Sequence, residues 1–268
     1  MDERALRQRL LTAPLVPLIM QLAWPVIVVQ LLQTLVGIAE TFYVGFLGTD
    51  ALAGVALVFP IVMLMTMMSR GGIGGGVSSA VARAIGAGRS ADANALVLHA
   101  LVLAVMFGVT FTIGVLGAGP ILYRALGGNG RVLDAALTYS KFVFVGAAPI
   151  WIVNLFAAAL QGAANVRTPA IVTFTGTVVL IILSPALIFG IGPFPRLGIA
   201  GAGTAVTLFY SCAALALLWI MASGRFGLTL RWVRLAPESG RSTRTSVCSD
   251  TPWIRQGSSS TRKTELCR

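Results

Sequence analysis

Charged side chains are scarce in this chain. Only 11% of its 268 residues are Asp, Glu, Lys or Arg, whereas an ordinary soluble domain carries about 25%. Such a chain has too few polar side chains to cover a water-facing surface, which excludes an ordinary soluble domain. Hydrophobic residues make up 56%, and many lie in segments close to the roughly 20 residues that a helix needs to cross a membrane. The composition therefore predicts an integral membrane protein.

The residues that usually perform catalysis or bind metals are also few. The chain has nine acidic residues, one histidine, His99, and three cysteines, Cys212, Cys248 and Cys267, without the paired spacing of a metal site or a disulfide framework. No nucleophile elbow is present, and the glycine run after Arg70 lacks the Lys-Ser/Thr of a phosphate-binding loop. We therefore predict that the protein is not an enzyme and holds no metal and no cofactor.

Six apolar segments are long enough to form membrane-spanning helices, which predicts an all-α, polytopic helix bundle. They cover residues 15–44, 51–69, 95–117, 139–160, 169–191 and 199–222. Arginines are concentrated before the first segment and after the second, fourth and sixth. By the positive-inside rule, both termini lie in the cytoplasm. The basic residues behind the net charge of +11 thus indicate the topology of the chain in the membrane. We expect the protein to contact lipid and to have no nucleic-acid partner.

The composition divides the chain into three parts. Residues 1–14 form a short cytoplasmic segment, residues 15–235 the six-helix lobe, and residues 236–268 a tail rich in Ser, Thr and Arg. The tail has no apolar periodicity, so we expect it to be disordered. It is either a basic tail near anionic lipid headgroups or an out-of-frame ending, and we favour the second interpretation.

One carboxylate, Glu40, lies inside the first span. A charge at membrane depth costs roughly 2.5 to 3.5 kcal/mol even on the mildest insertion scale, so Glu40 is a candidate functional residue. Gln30, Gln33 and Gly37 share its helical face, and we expect this stripe to face the protein interior. Glu40 is predicted to exchange a proton, or to hold a sodium ion through its oxygens. The alternative is that Glu40 only caps or staples helix ends at the interface.

Polar side chains in the fourth and fifth spans are candidates for the wall of an internal cavity. Asn154, Thr177 and Ser184 are predicted to line it together with Gln30 and Gln33. The alternative for each is an interhelical hydrogen bond, which is worth about 0.6 kcal/mol.

Prolines and glycines interrupt the apolar segments. A proline within a span frees a backbone carbonyl and kinks the helix, and the candidates are Pro25, Pro60, Pro149 and Pro185. The glycine run at residues 71–76 is predicted to connect the second span to a short helix of small residues. This interpretation places Arg70 in a cytoplasmic connection, and most other Lys and Arg residues also fall in loops.

Four segments resemble the multidrug and toxic compound extrusion (MATE) family. They are WPVIVVQLLQTLVGIAETFYVGFLGTDALAGVAL, GGIGGGVSSAVARAIGAGR, ALQGAANVRTPAIV and PFPRLGIAGAGTAV, and the resemblance extends over about residues 15 to 235. Family members have twelve spans in two six-helix lobes with a cavity between them. The resemblance is to the N-terminal lobe alone. It implies an inner-membrane antiporter that exports cationic or amphipathic compounds in exchange for protons or sodium.

The resemblance also assigns family positions to individual residues. The first-span acid of the family falls on Glu40 in AETFYVG, with Glu in place of the usual Asp. The fifth-span Asn and Asp positions fall on Leu180 and Ser184, and the loop motif Arg-Gly-x-Gly-Asp corresponds to QGAAN, with Gln161 and Asn165. These departures favour coupling to protons at Glu40 over a sodium site built from several ligands.

The resemblance to one lobe leaves open how the chain would act. Alternating access needs a second lobe, so we expect a homodimer or a separate partner to supply it. One alternative is a truncated membrane fragment without transport activity. Another is a lipid-linked oligosaccharide flippase of the same superfamily, which should have a more cationic cavity.

Overall fold

A computed structural model describes residues 15–191 and 195–223. The elements in these ranges are helical, and we number them in chain order: α1 (Leu15–Gly45), α2 (Thr49–Met67), a π-helical turn (Met68–Gly72), α3 (Ile73–Gly86), α4 (Ser90–Ala125), α5 (Gly130–Val145), α6 (Ala147–Gly162), α7 (Arg167–Phe189) and α8 (Ile199–Ala222). The predictions for residues 1–14, for the end of the lobe after residue 223 and for the whole tail at residues 236–268 lie outside the described residues.

The apolar composition of these helices explains their number and length. Without water to bond the backbone, a spanning segment must satisfy its own N–H and C=O groups, and a helix does so internally. Five helical stretches of the described chain are long and apolar enough to cross a membrane, and the bent pair α5 and α6 brings the number to six. The predicted all-α membrane bundle is confirmed.

The second span continues much further than the sequence suggested. α2, the π-helical turn and α3 form one helical stretch, Thr49–Gly86, of 38 residues. The prediction of a glycine connection after residue 69 is wrong. The reason is packing, because small residues let α3 approach α6 so closely that a methyl group on Gly162 would collide with the backbone of Ser78. This contact overrides the low helix propensity of glycine.

The fourth span is bent by 49° between α5 and α6. The break lies at Gly146, whose N–H bonds the Val143 carbonyl at 3.1 Å and so leaves the Phe142 carbonyl without its helical donor. The Thr207 hydroxyl of α8 donates to that carbonyl at 2.7 Å. Pro149, three residues later, has no N–H and weakens the same turn. A hydroxyl from a neighbouring helix thus satisfies the backbone at the kink, as membrane burial requires.

The core of the bundle surrounds α6, which packs against α3, α4 and α8. Trp151 and Phe156 of α6 are fully buried. In contrast, α1 packs mainly against α7 and touches α2 only lightly. The arrangement leaves a space between α1 and α2 that reaches into the bundle.

Candidate functional site

A cavity of about 740 Å³ occupies the space beside α1. It is bounded by residues of α1, α2, α5, α6, α7 and α8, and its volume falls within the range of roughly 300 to 1,000 Å³ typical of small-molecule sites. Four of the residues selected from the sequence lie on its wall: Gln30, Gln33, Glu40 and Thr177. Folding therefore brings the polar stripe of α1 opposite Thr177 of α7.

Glu40 is the acidic residue on this wall. Its Oε1 atom is buried and has no hydrogen-bond partner among the described residues. Tyr139 of α5 and Tyr210 of α8 line the same cavity. A carboxyl oxygen buried without a donor is costly, so this position favours a proton or a bound cation. The missing partner gives no support to the alternative that Glu40 only staples helix ends.

Arg70 is a cavity residue that the sequence interpretation assigned elsewhere. It lines the cavity from the π-helical turn, and its Nη1 atom donates to Gln30 Oε1 at 3.4 Å. The prediction that Arg70 lies in a cytoplasmic connection is wrong, because the helix continues through the glycine run. Once the helix is known to continue, helical spacing explains its position, because Met63, Thr66 and Met67 precede it at intervals of seven, four and three and line the same cavity.

A smaller pocket of about 220 Å³ adjoins the cavity and shares Gln30, Gln33 and Arg70 with it. Asn154 and Gln161 of α6 complete its polar wall. The structure therefore places Asn154 in this pocket, next to the other predicted residues. Gln161, which occupies the family's loop-motif position, lies in the same pocket.

Asn154 is held in one orientation by the groups around it. Its Nδ2 atom donates to Ser69 Oγ at 2.8 Å, and its Oδ1 atom accepts from Arg70 Nε at 3.1 Å. Arginine has no acceptor, so the amide oxygen must face Arg70 and the amide nitrogen must face Ser69. The Ser69 hydroxyl in turn donates to the Thr66 carbonyl at 3.1 Å. The chain of bonds fixes the Arg70 side chain against α6.

Ser184 does not lie on the wall of either cavity, which corrects its prediction as a lining residue. It is fully buried in α7, and its Oγ atom has no partner among the described residues. Leu180 and Leu187, on the same face of α7, belong to the packed core. Leu180 also lines the cavity, whereas Ser184 and Leu187 do not.

Comparison with known sequences identifies relatives of this chain. Residues 25–186 match the MatE family model. An FAD transporter of Shewanella oneidensis is 33% identical over 214 residues, which cover 79% of this chain and 46% of the relative. A probable multidrug resistance protein NorM of Thermotoga maritima is 31% identical over 194 residues, which cover 71% of this chain and 41% of the relative. The chain thus spans about half the length of these relatives.

Solved structures show the same likeness in three dimensions. An outward-facing multidrug resistance MATE family transporter of the MOP superfamily matches with a TM-score of 0.76 at 29% identity, covering 83% of this chain and 48% of that one. An inward-facing structure matches with a TM-score of 0.71 at 30% identity, covering 77% of this chain and 46% of that one. The resemblance to one lobe of a MATE transporter is confirmed, and the chain belongs to the MatE family.

Proposed function

We propose that this chain is the N-terminal lobe of a MATE-type secondary antiporter that exports cationic or amphipathic compounds in exchange for protons or sodium. It lies in the inner membrane with both termini in the cytoplasm. It is not an enzyme, needs no resident cofactor and binds no nucleic acid. The observation that supports this proposal best is the position of Glu40, with an unpartnered oxygen, on a cavity of about 740 Å³ within apolar helices.

The cavity has the two properties that coupled export requires. Phe59, Met63 and Phe209 provide apolar walls for the body of a small organic compound. Glu40 provides a group whose charge changes when it binds or releases a proton. A proton on Glu40 alters the relative stability of the outward- and inward-facing states, and this difference is what couples the ion to the substrate.

The names of the relatives differ in the substrate that they state. One is called an FAD transporter and the other a probable multidrug resistance protein. Both names support movement of a small organic compound across a membrane, and neither favours an inert fragment or an oligosaccharide flippase. The cavity wall carries one arginine and one carboxylate, so it is not strongly cationic, as we expect of such a flippase.

A second lobe is part of the proposal, because alternating access requires two bodies that move against each other. The open side of this lobe is a wide, mainly apolar concavity of about 970 Å³ between α1 and α2. Ile38, Phe42 and Phe59 are exposed on its wall. We propose that a second copy of the chain or a separate second lobe covers this side.

Export can be measured in bacterial cells that lack their own efflux pumps. Cells that express the chain are loaded with a cationic dye, and its accumulation is compared for the wild type, Glu40→Gln, Asp134→Asn and an empty vector. We expect the wild type and Asp134→Asn, which alters an exposed carboxylate of α5, to lower accumulation. Glu40→Gln should behave like the empty vector. Equal accumulation in all four strains would contradict export by this chain.

A further inference from the structure

Arg70 carries a positive charge at the middle of the bundle. Its guanidinium donates to Gln30, which lies 15 residues from either end of α1. At a rise of 1.5 Å per residue, this distance is about 22 Å from each end of the helix. Arg70 belongs to the stretch Thr49–Gly86, which is apolar enough to cross a membrane, and a charge in such a segment is costly unless it faces a polar cavity or a partner. An anion that compensates the charge of Arg70 is therefore expected.

The groups that contact Arg70 are neutral. Asn154 and Gln30 accept its hydrogen bonds, and the Tyr210 hydroxyl lies within reach of it. The ion pairs in the described part of the chain join Arg89 to Asp92 and Arg131 to Asp50. Arg70 thus has no ion-pair partner there, and its charge is directed into the two cavities that it lines.

Glu40 is too distant to neutralise Arg70 by direct contact. The two residues line the same cavity, but Glu40 lies ten residues beyond Gln30 on α1, which is about 15 Å along the helix axis. The cavity therefore has a cationic end at Arg70 and an acidic group near its other end.

The local backbone is built to hold Arg70 in place. Ser69 and Arg70 are consecutive residues of the π-helical turn Met68–Gly72, and both hydrogen-bond Asn154. Single π-helical turns inside α-helices occur frequently at functional sites. The bonds to Asn154 and Gln30 use two of the five N–H donors of the guanidinium, and others remain to bind an oxygen anion.

We propose that the pocket of about 220 Å³ binds an anionic group of the transported compound, a phosphate monoester or a carboxylate, through Arg70. The Gln33 and Gln161 amides and the Tyr210 hydroxyl line this pocket and supply further donors. Arginine is well suited to this task because its planar fork matches the oxygens of both groups. The adjoining cavity holds the apolar body of the compound.

This inference rests on the proposed function, since it names the substrate class of the same cavity. It adds amphipathic compounds with an anionic group to that class. Arg70 lines the two cavities, which favours a compound inside them over the headgroup of a surrounding lipid.

Two flavins that differ by one phosphate provide the test. Flavin mononucleotide and riboflavin share a planar ring, and only the former carries a phosphate monoester. Binding of each is measured by equilibrium dialysis against the purified chain in nanodiscs of zwitterionic lipid, with empty nanodiscs as the blank. We expect the wild type to bind flavin mononucleotide at least about tenfold more tightly than riboflavin, because a hydrogen bond to a charged group contributes that much.

Substitutions assign the preference to Arg70. Arg70→Gln should reduce the affinity for flavin mononucleotide to that for riboflavin and leave riboflavin binding unchanged. Arg83→Gln, which alters an exposed arginine in the same helical stretch, should keep the wild-type preference. Equal binding of the two flavins by the wild type, or a preference that survives in Arg70→Gln, would overturn the proposal.

Two further measurements keep the result interpretable. If Arg70→Gln does not fold, competition in the wild type decides, and inorganic phosphate must then displace flavin mononucleotide and leave riboflavin bound. Failure of that displacement also overturns the proposal. Since binding needs no transport, loss of the flavin preference with intact Glu40-dependent dye export would reject only the anion site. The preference without any export would reject only the proposed function.

Discussion

The opposite charges on one cavity predict that proton binding at Glu40 strengthens anion binding at Arg70. Ionised Glu40 attracts Arg70 and repels an anion beside it, whereas protonated Glu40 does neither. The perturbation is Glu40→Gln, which fixes the neutral form of the side chain at every pH. We expect this variant to bind an anion with the affinity that the wild type reaches only when Glu40 is protonated.

The size of the effect follows from the geometry. Glu40 and Gln30, which contacts Arg70, are about 15 Å apart along α1. Two unit charges at about that distance interact by roughly 1.1 kcal/mol in a medium of effective dielectric constant about 20. This energy corresponds to a change of about sixfold in the dissociation constant.

The assay is equilibrium dialysis of 1-naphthalenesulfonate against the purified chain in nanodiscs, at mildly acidic and mildly alkaline pH. The sulfonate keeps its charge throughout this range. The wild type should bind about sixfold more weakly at the alkaline pH, and Glu40→Gln should bind equally at both.

Two results would refute this reasoning. Wild-type affinity that does not change with pH and equals that of Glu40→Gln would mean that the two groups do not share one electrostatic environment. Tighter wild-type binding at alkaline pH would show that the sign of the coupling is wrong. Arg70→Gln is the control for the site, because it should bind the sulfonate more weakly than the wild type at both pH values.

Two predictions concern the helix contacts that shape the lobe. A methyl group on Gly54 would lie 2.7 Å from the Ala135 side chain, so Gly54→Ala should lower the free energy of unfolding by about 1 to 3 kcal/mol. A methyl group on Gly75 would meet no other helix within 4 Å, so Gly75→Ala should have the wild-type midpoint or a higher one in thermal denaturation. Thr207→Val removes the hydroxyl that bonds the Phe142 carbonyl and should cost roughly 0.6 to 1.7 kcal/mol, measured in the same way. A thermal midpoint of Gly54→Ala equal to that of Gly75→Ala would contradict the first prediction. A thermal midpoint of Thr207→Val equal to that of the wild type would contradict the second.

Much of the site could be predicted from the sequence, because a polar side chain in an apolar membrane helix is stable only where it faces the protein interior. Helical spacing aligned Gln30, Gln33 and Glu40, and lipid offers these groups no hydrogen-bond partner. The structure places all three on one cavity. Their roles in ion coupling and substrate binding stay predictions.

Ser184 and Arg70 show where the pattern of one helix is not enough. Ser184 shares a helical face with Thr177, and only the structure shows that Thr177 lines the cavity whereas Ser184 is fully buried outside it. Arg70 precedes a glycine run, which is typical of a loop. Its helical continuation depends on the contact of α3 with α6, and local propensity does not record that contact.

The sequence by itself determined that the chain is a bundle of membrane helices and that Glu40 faces its interior, since apolar length and helical period follow from composition and order alone. The tertiary structure decided which polar groups meet. The hydrogen-bond network joins Asn154 to Ser69 and Arg70, which lie more than 80 residues earlier in the chain. It therefore forms only when α6 packs against the π-helical turn. Distances between helices depend on packing, and this packing gives the cavity both its shape and its charge.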